Sequence, residues 1–403
     1  MEEKTIVCIS CYYKGYDFMD EMKMLGNKII LITSENIKEK NWPWHAIDEV
    51  YYMPELKPSV WNLEHLVQGF SHLMQTRKID AVVALDDYDV EKAALIRETF
   101  RIPGMGQTTH RYFRDKLAMR QKAKESGINV PEFTAVFNND EINTFIENVP
   151  APWVLKPRSE ASASGIKKIT SREQLWEALD QLGEERHLFL LESFKPGDVY
   201  HVDSLTFNGQ VVFTSASQYL APPMQVSHEG GVFRTKTLSR QSDEYKALDE
   251  VNAKLLSRFG LLNGATHTEF IRSKENGQWY FLETSSRVGG AHIPDLVEAS
   301  SSINIWREWA KIEDALLRSK NYVVAKPTEY HSGLIIALIK DQQPDYSAFE
   351  CEEIVKYLPI DYHVGIVYKS SSADTIQKRL DTAADKINTG LLNILPPKGK
   401  STS

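Results

Sequence analysis

Glu269 and Glu283 are the two residues of this sequence whose type and spacing point most directly to chemistry. Each lies in a short apolar segment, and the turn-forming residues 275–277 (Glu-Asn-Gly) separate the two segments. A two-residue Asn-Gly loop leaves the glutamates on opposite faces of a hairpin, whereas a three-residue loop with glycine in the left-handed position pairs them directly. We favour the three-residue loop because two facing carboxylates fit an apolar sheet face only when a cation compensates them. The expected cation is Mg²⁺ held by carboxylates and phosphates, although an exposed hairpin whose glutamates face water explains the same pattern.

A second group of residues, upstream of this hairpin, suggests that phosphates are bound. A strand predicted at residues 153–158 ends in Lys156-Pro157-Arg158, seven mostly small residues follow at 159–165, and another strand is predicted at 166–169. The backbone N–H groups of such a loop can close over phosphates. A loop of serine and alanine is also simply flexible, so this signal is weak without the glutamate pair.

The first hundred residues contain the elements expected to form one wall of such a site. Three short runs rich in β-branched residues are typical of strands buried in a parallel sheet: Thr5–Ser10, Lys28–Thr33 and Ile79–Leu85. An amphipathic helix is predicted between the last two runs, with Ser59 near its N-terminus. Ligands of doubly wound sheets bind beyond the carboxyl ends of the strands. Asp86 and Asp87 follow the third run and are expected in that crevice, although a solvated loop explains them equally well.

Composition narrows the class of protein. The 403 residues carry 55 acidic and 47 basic side chains, a net charge of −8, which argues against a nucleic-acid or anionic-membrane binder. No run approaches the roughly 20 apolar residues that a membrane span needs. The three cysteines, Cys8, Cys11 and Cys351, lack the spacing of a zinc site, and a cytoplasmic location is expected.

From about residue 115 to residue 290 the chain resembles the ATP-grasp superfamily. The resemblance rests on the order and spacing of several segments: Asp115-Lys116, the strand ending in Lys156, the Ser/Ala/Gly loop, Glu192, Pro196-Gly197-Asp198 with the strand that follows, and Glu269…Glu283-x-Ser285-x-Arg287-x-Gly289-Gly290. Within the superfamily the sequence is most similar to the carboxylate–amine ligases that join amino acids.

The resemblance implies an α/β and α+β multidomain fold. A doubly wound, Rossmann-like domain is expected at residues 1–112 and an ATP-grasp fold of two α+β subdomains at 113–311, with its lid subdomain at about 125–190. A small α+β domain at 312–403 is expected to complete the substrate side.

The same resemblance implies the residues of a nucleotide site. Lys116 and Lys156 would hold the phosphates of ATP, because compact cations suit that role. The expected lid over the triphosphate comprises Ser162, Ser164 and Gly165. The expected adenine and ribose contacts come from the hinge segment Glu192, Ser193 and Phe194 and from Asp198. Many relatives have an acid for the ribose where Val199 stands, so Asp198 or Glu192 would have to replace it.

Metal, catalytic and substrate residues follow from the resemblance as well. Glu269 and Glu283 would hold Mg²⁺ (or Mn²⁺), with Ser285 in place of the asparagine of many relatives, which leaves a second ion in doubt. The expected catalytic residues are Arg287, Lys156 and His267. The expected substrate contacts are Gly289, Gly290, His292 and Asp295, of which the last two could equally begin and cap a helix.

The implied activity is that of an ATP-dependent carboxylate–amine ligase. A carboxylate would attack the γ-phosphate to give an acyl phosphate and ADP, and an amine would then displace phosphate to form an amide. The expected partners are a small-molecule carboxylate and an amine, one of them an amino acid, with no nucleic acid or membrane partner and a homodimer by resemblance alone. A carboxyphosphate-forming enzyme of the biotin-carboxylase kind, an adenylating ligase that releases AMP and a catalytically silent ATP-binding module are the alternatives.

Overall fold

The computed structural model describes residues 2–160, 165–223, 226, 231–358 and 360–392. Ser162 and Ser164 of the predicted lid lie outside the described residues. Within these ranges the strands form a four-stranded parallel sheet, a four-stranded antiparallel sheet, an eight-stranded antiparallel sheet and one small hairpin. No helix in these ranges combines the length and apolar composition needed to span a membrane.

The first unit is a parallel sheet of order β3-β2-β1-β6 flanked by helices. Its strands are β1 (Thr5–Ser10), β2 (Lys28–Ser34), β3 (Glu49–Met53), a small hairpin of β4 (Glu55–Lys57) with β5 (Val60–Trp61), and β6 (Ala81–Ala84). Its helices are α1 (Tyr16–Met24), α2 (Leu63–Met74) and α3 (Val90–Phe100). The predicted strands are confirmed, and their β-branched side chains are buried from both faces.

The predicted start of the second helix is wrong. Ser59 adopts a left-handed backbone with φ 61°, and Trp61 belongs to β5. The helix begins after Asn62, whose side-chain oxygen accepts hydrogen bonds from the backbone N–H groups of Glu64 and His65. Asparagine is a strong N-cap, so it fixes the helix start three residues later than the pattern of apolar residues indicates.

The second sheet is antiparallel and has the order β7-β10-β8-β9. In the sequence it follows the first unit and precedes the strands of the eight-stranded sheet. It contains β7 (Phe133–Ala135), β8 (Trp153–Pro157), β9 (Lys167–Ile169) and β10 (Phe189–Ser193). The helices of this part of the chain are α4 (Gln107–His110), α5 (Lys116–Glu125), α6 (Asn139–Asn148) and α7 (Arg172–Leu182). The α5 helix starts at Lys116, because the Asp115 carboxylate caps it by accepting from the N–H of Leu117 at 3.0 Å.

The largest sheet has the order β15-β14-β11-β12-β13-β16-β18-β17. Its strands are β11 (Gly197–Phe207), β12 (Gln210–Tyr219), β13 (Phe233–Thr237), β14 (Gly264–Ser273), β15 (Trp279–Ser285), β16 (His331–Leu338), β17 (Ile354–Tyr357) and β18 (His363–Ser370). The accompanying helices are α8 (Asp243–Phe259), α9 (Ile293–Ser301), α10 (Ile305–Leu317) and α11 (Ala373–Lys386). The carboxy-terminal strands continue the central sheet, since β16 pairs with β13, and the expected boundary between residues 311 and 312 falls inside α10.

The α10 helix also joins the first unit to the large sheet. Apolar side chains of α10, such as Trp309 and Ile312, share one buried cluster with Phe18 and Met19 of α1. At the end of this contact Asp314 accepts hydrogen bonds from the Asn27 side chain and from Nε of Arg318, each at 2.8 Å. The contact holds the first unit against the sheet that carries the two glutamates.

We expect Asp314→Ala to lower the free energy of unfolding by about 3–5 kcal/mol, because it leaves the Arg318 guanidinium buried without its carboxylate. Urea unfolding followed by tryptophan fluorescence measures this change. Asp341→Ala, at an exposed position, is the control and is expected to change it by less than about 0.5 kcal/mol. A loss below about 1 kcal/mol for Asp314→Ala would show that this contact does not stabilise the docking of α10.

Candidate active site

Glu269 and Glu283 lie directly opposite each other on β14 and β15, as predicted. The predicted route to this register is wrong, because the turn holds four residues, 274–277, rather than three. Nearer the turn Arg272 pairs with Trp279, and an extra residue, Leu282, shifts the register before Glu269 is reached. The longer loop and the bulge offset each other, so both carboxylates project from the same face of the sheet.

These carboxylates line a cavity of about 720 Å³. One wall consists of β8 and β10, a second of β11, β14 and β15, and Asp87 of the first unit and α9 contribute further lining. The predicted residues that line it comprise Lys116, Lys156, Glu192, Ser193, Phe194, His267, Glu269, Glu283, Ser285, Arg287 and Gly290. Residues as far apart in the sequence as Lys116 and Gly290 therefore line the same cavity.

Each glutamate of the pair has its own partner. Lys116 Nζ lies 2.9 Å from Oε2 of Glu283, and although burial opposes ionisation, this lysine lowers the pKa of Glu283. The hydroxyl of Tyr219 donates to Oε1 of Glu269 at 2.9 Å, and Nε2 of His267 lies 3.7 Å from the same oxygen. The two carboxylates thus have separate partners, Lys116 of α5 for Glu283 and Tyr219 of β12 for Glu269.

Glu192 is a buried anchor for two cations. Its Oε1 lies 2.5 Å from Nζ of Lys156, and its Oε2 accepts from Nε of the fully buried Arg120 at 3.0 Å. Burial lowers the pKa of Lys156 to about 8, against the opposing attraction of Glu192. Both oxygens of the Glu192 carboxylate are therefore paired with cations in this structure.

Arg287 meets a residue of the first unit. Its Nη2 donates to Oδ2 of Asp87 at 3.1 Å, across 200 residues of sequence. Burial alone would raise the pKa of Asp87, but the charges of Arg287 and Arg114 lower it to about 2. Ser285 lies close enough to favour the ionised form as well, although Oδ1 of Asp87 has no hydrogen-bond partner among the described residues.

A buried His–Asp–His network lies behind the glutamate pair. Asp203 accepts from Nδ1 of His201 at 2.7 Å and contacts Nδ1 of His267 at 2.9 Å. Burial lowers the pKa of His267, but Asp203 and Glu269 outweigh burial and raise it to about 9. A Cβ at Gly289 would lie 2.8 Å from Oδ1 of Asp203, so the glycine lets the loop after Arg287 pack on the network. In the sequence, the alternation of His201 and Asp203 could have indicated that their side chains share one face of a strand. The sequence could not indicate that His267 of β14 would lie beside them.

Several predicted site residues lie elsewhere. Asp198 points away from the cavity and pairs with Lys274 at 3.2 Å, because β11 turns Val199 inward. His292 and Asp295 bond to each other at 2.8 Å where α9 begins, and Lys356 is a second partner of Asp295; neither lines the cavity.

The two remaining glycines do not line the cavity either. Gly165 packs against Pro157, and its φ of 71° suits glycine. Gly289 lies behind Gly290, on the His–Asp–His network. Of the two acids expected in the crevice, Asp87 lines the cavity and Asp86 does not. The residues that the sequence left without a role are Arg114, Arg120, Tyr219 and Asp203.

Comparison with known proteins identifies a domain within the chain and its relatives. Residues 149–295 match the family model of an ATP-grasp domain. The L-arginine-specific L-amino acid ligase of Bacillus subtilis is 25% identical over 287 residues, which cover 70% of this chain and 67% of that protein.

Solved structures give the same fold. The L-amino acid ligase of Bacillus licheniformis superposes with a TM-score of 0.73 at 19% identity, over 98% of this chain and 100% of that one. A biotin carboxylase from Campylobacter jejuni reaches 0.69 at 17% identity, over 97% and 92% of the chains. The chain therefore contains an ATP-grasp domain, and its similarity to ligases over most of its length indicates an ATP-dependent ligase that forms carbon–nitrogen bonds.

Proposed function

We propose that this enzyme joins the carboxylate of an amino acid to an amine through an acyl phosphate, with release of ADP and phosphate. The observation that carries the proposal is the pairing of Glu269 with Glu283 in a cavity that also presents Lys116, Lys156 and Arg287. Two anions and three cations facing one space fit a metal–triphosphate and a second anionic group, which is what an acyl-phosphate ligase has to hold together.

The nucleotide would be held by α5, β8 and the segment after β10. Lys156 and Lys116 now pair with glutamates, and the phosphates of ATP would take over their charge. The N–H groups of Ser193 and Phe194 donate to the carbonyls of Glu132 and Pro152. An adenine ring would therefore bond to carbonyl groups of this segment or to the N–H of Lys195, a donor that the sequence analysis did not single out.

The glutamate pair fits Mg²⁺, since it offers two carboxylates on one face of a cavity large enough for phosphates. When bound, the ion would neutralise charge that builds up during phosphoryl transfer. Tyr219 would keep Glu269 oriented through its hydrogen bond. Ser285 is a candidate third oxygen ligand, although its hydroxyl also lies close to Asp87.

Arg287 and His267 would act at the reacting end of the cavity. Arg287 would hold the carboxylate beside the γ-phosphate and then the acyl phosphate, because a guanidinium stabilises negative charge without having to reorganise. His267, held by Asp203 beside Glu269, would contribute positive charge to the same anions. An acyl phosphate is hydrolysed by water. The lid predicted at Ser162, Ser164 and Gly165 would exclude water from the site.

The runner-up is a carboxyphosphate-forming enzyme of the biotin-carboxylase kind, since the fold is shared. Incubation with Mg-ATP and pooled amino acids, with and without bicarbonate, separates the candidates by ADP, AMP, phosphate and new product masses. The proposal expects amino-acid-dependent ADP with a dipeptide mass. Release of ADP that depends on bicarbonate would support the carboxylase. Release of AMP would support an adenylating ligase, and absence of turnover would support a silent module. The homodimer and the cytoplasmic location stay predictions.

We expect Glu283→Gln to lower amino-acid-dependent ADP release by about 100-fold or more, because a neutral amide replaces a carboxylate that faces the metal–phosphate position. The matched control is Glu275→Gln in the exposed turn of the same hairpin, which is expected to keep wild-type turnover. Unchanged turnover in Glu283→Gln would mean that the metal assignment is wrong.

We also expect the affinity for ATP to fall as the pH rises through about 8, where Lys156 loses its proton. The charged lysine is the form that binds phosphates, so affinity is retained below this pH and declines above it by up to about tenfold per pH unit. Lys156→Arg is the control, because arginine stays charged throughout this pH range. In this variant we expect only the change in affinity that comes from titration of the nucleotide itself. Equal slopes for the two proteins between about pH 7 and 10 would exclude Lys156 as a phosphate ligand.

A further inference from the structure

A row of apolar side chains borders the glutamate pair on the cavity wall. Val199 of β11 and Ile271 of β14 pair across the sheet, are each 6% exposed and line the cavity. The next row on the same face contains Glu269 and Glu283, because side chains two positions apart on a strand share a face. Further lining residues extend the apolar surface around Val199 and Ile271: Tyr219, Phe233 and Leu282.

This apolar row of Val199 and Ile271 lies where the sugar of a bound nucleotide would be. On one side of it is the segment after β10, which would bond to adenine, and β11 starts at Gly197, two residues before Val199. On the other side is the glutamate pair that would hold the metal and the phosphates. The two rows are about 7 Å apart, the length of two residues of a strand. Since the ribose of ATP joins the base to the phosphates, it would lie against the apolar row.

The acids that line the cavity have partners away from the apolar row. Within the described part of the chain, each of them bonds to a cation or to a tyrosine hydroxyl: Asp87, Glu160, Glu192, Glu269 and Glu283. Asp198, the acid next to Val199, lies on the opposite face of β11 and pairs with Lys274 at 3.2 Å. The described residues therefore offer no free carboxylate beside Val199 to accept hydrogen bonds from ribose hydroxyls.

The polar side chains nearest to the apolar row are engaged as well. The hydroxyl of Ser193 donates to Oε2 of Glu132 at 2.7 Å, and Nζ of Lys195 lies 3.1 Å from the same oxygen. The hydroxyl of Tyr219 donates to Glu269. A sugar at this position would therefore meet mainly the methyl and methylene groups of valine and isoleucine.

A site that hydrogen-bonds a substrate hydroxyl rejects an analogue without it, whereas an apolar surface discriminates only weakly between the two. We propose that the apolar row receives the sugar through carbon contacts alone, so that the enzyme uses 2′-deoxy-ATP and 3′-deoxy-ATP nearly as well as ATP. The γ-phosphoryl group would pass to the carboxylate in the same way, with a deoxy-ADP as the leaving group. The inference rests on the proposed function and adds the class of nucleotides that serves it, with Val199 as the specificity-determining residue.

The test compares ATP, 2′-deoxy-ATP and 3′-deoxy-ATP as substrates of the wild type, with the amino acid that gives most ADP in the pooled assay. Phosphate release is measured, because phosphate is the same product with every nucleotide. We expect kcat/KM for each deoxynucleotide to stay within about fivefold of the value for ATP. A larger loss with either analogue would overturn the inference, because a hydrogen bond to a charged acceptor is worth about 10–100-fold.

The variant Val199→Glu tests the position of the sugar from the protein side, because it places a hydrogen-bond acceptor on the apolar row. We expect it to create a preference for ATP over the deoxynucleotides of about tenfold or more. Gln210→Glu is the matched control: it adds the same charge at an exposed position of β12 that does not line the cavity, and it is expected to keep the wild-type ratio. An active Val199→Glu enzyme without this preference would overturn the assignment of the apolar row to the sugar.

Binding measurements separate this inference from the function on which it rests. Mg-ADP and Mg-2′-deoxy-ADP are titrated into the wild-type protein in a calorimeter, without any amino acid, and we expect their Kd values to agree within about fivefold. A larger difference in favour of Mg-ADP would overturn the inference and leave the ligase intact. Absence of phosphate release with every nucleotide and amino acid would contradict the proposed function itself. The nucleotide series needs no variant, so the inference stays testable if Val199→Glu does not fold.

Discussion

The arrangement of this molecule depends on two like charges held face to face. Glu269 and Glu283 are direct neighbours across an antiparallel strand pair, a placement that is unfavourable without compensation. The chain supplies that compensation from two different places, Lys116 at the start of α5 and Tyr219 at the end of β12. Satisfying the pair therefore ties the hairpin to a helix and to β12, a strand of the same sheet that lies beyond β11. It also creates the anionic centre around which the cationic residues of the cavity are arranged.

The cations around this centre are themselves held in place by acids that do not belong to the pair. Glu192 fixes Lys156 with the help of Arg120, and Asp87 fixes Arg287. Each of these ion pairs joins separate elements, so the walls of the cavity are connected by the same charges that would bind ATP and the substrate. In this account nucleotide binding exchanges partners: phosphates would replace Glu283 at Lys116 and free that carboxylate for the metal, while Glu192 would keep Arg120 when Lys156 turns to the phosphates. Such an exchange limits the cost of taking charges out of water, because these buried charges would keep partners at both stages.

Local patterns in the sequence were sufficient for the elements and for part of the site. β-branched runs gave the parallel strands, and the spacing of Glu269 and Glu283 gave their pairing. The length of the turn could not be predicted from the pairing of the two glutamates. A four-residue turn combined with the extra residue Leu282 in β15 pairs them in the same way as a three-residue turn would. Asp198 was misplaced because one step along a strand reverses the face. Asp87 was expected at the crevice, but its pairing with Arg287 could not be foreseen because the two residues are 200 positions apart. Single-sequence patterns report periodicity and caps, whereas contacts between separate sheets depend on the assembled fold.

The most direct test of the central claim measures the metal at the glutamate pair. Electron paramagnetic resonance follows Mn²⁺ as it is titrated into the protein with a non-hydrolysable ATP analogue. The account predicts a bound Mn²⁺ signal for the wild type in the presence of the analogue, and its loss in the double variant Glu269→Gln/Glu283→Gln while a folded protein is retained. Equal binding of Mn²⁺ and analogue by the double variant would contradict the account, because the opposed carboxylates would then have no part in holding the metal–nucleotide complex.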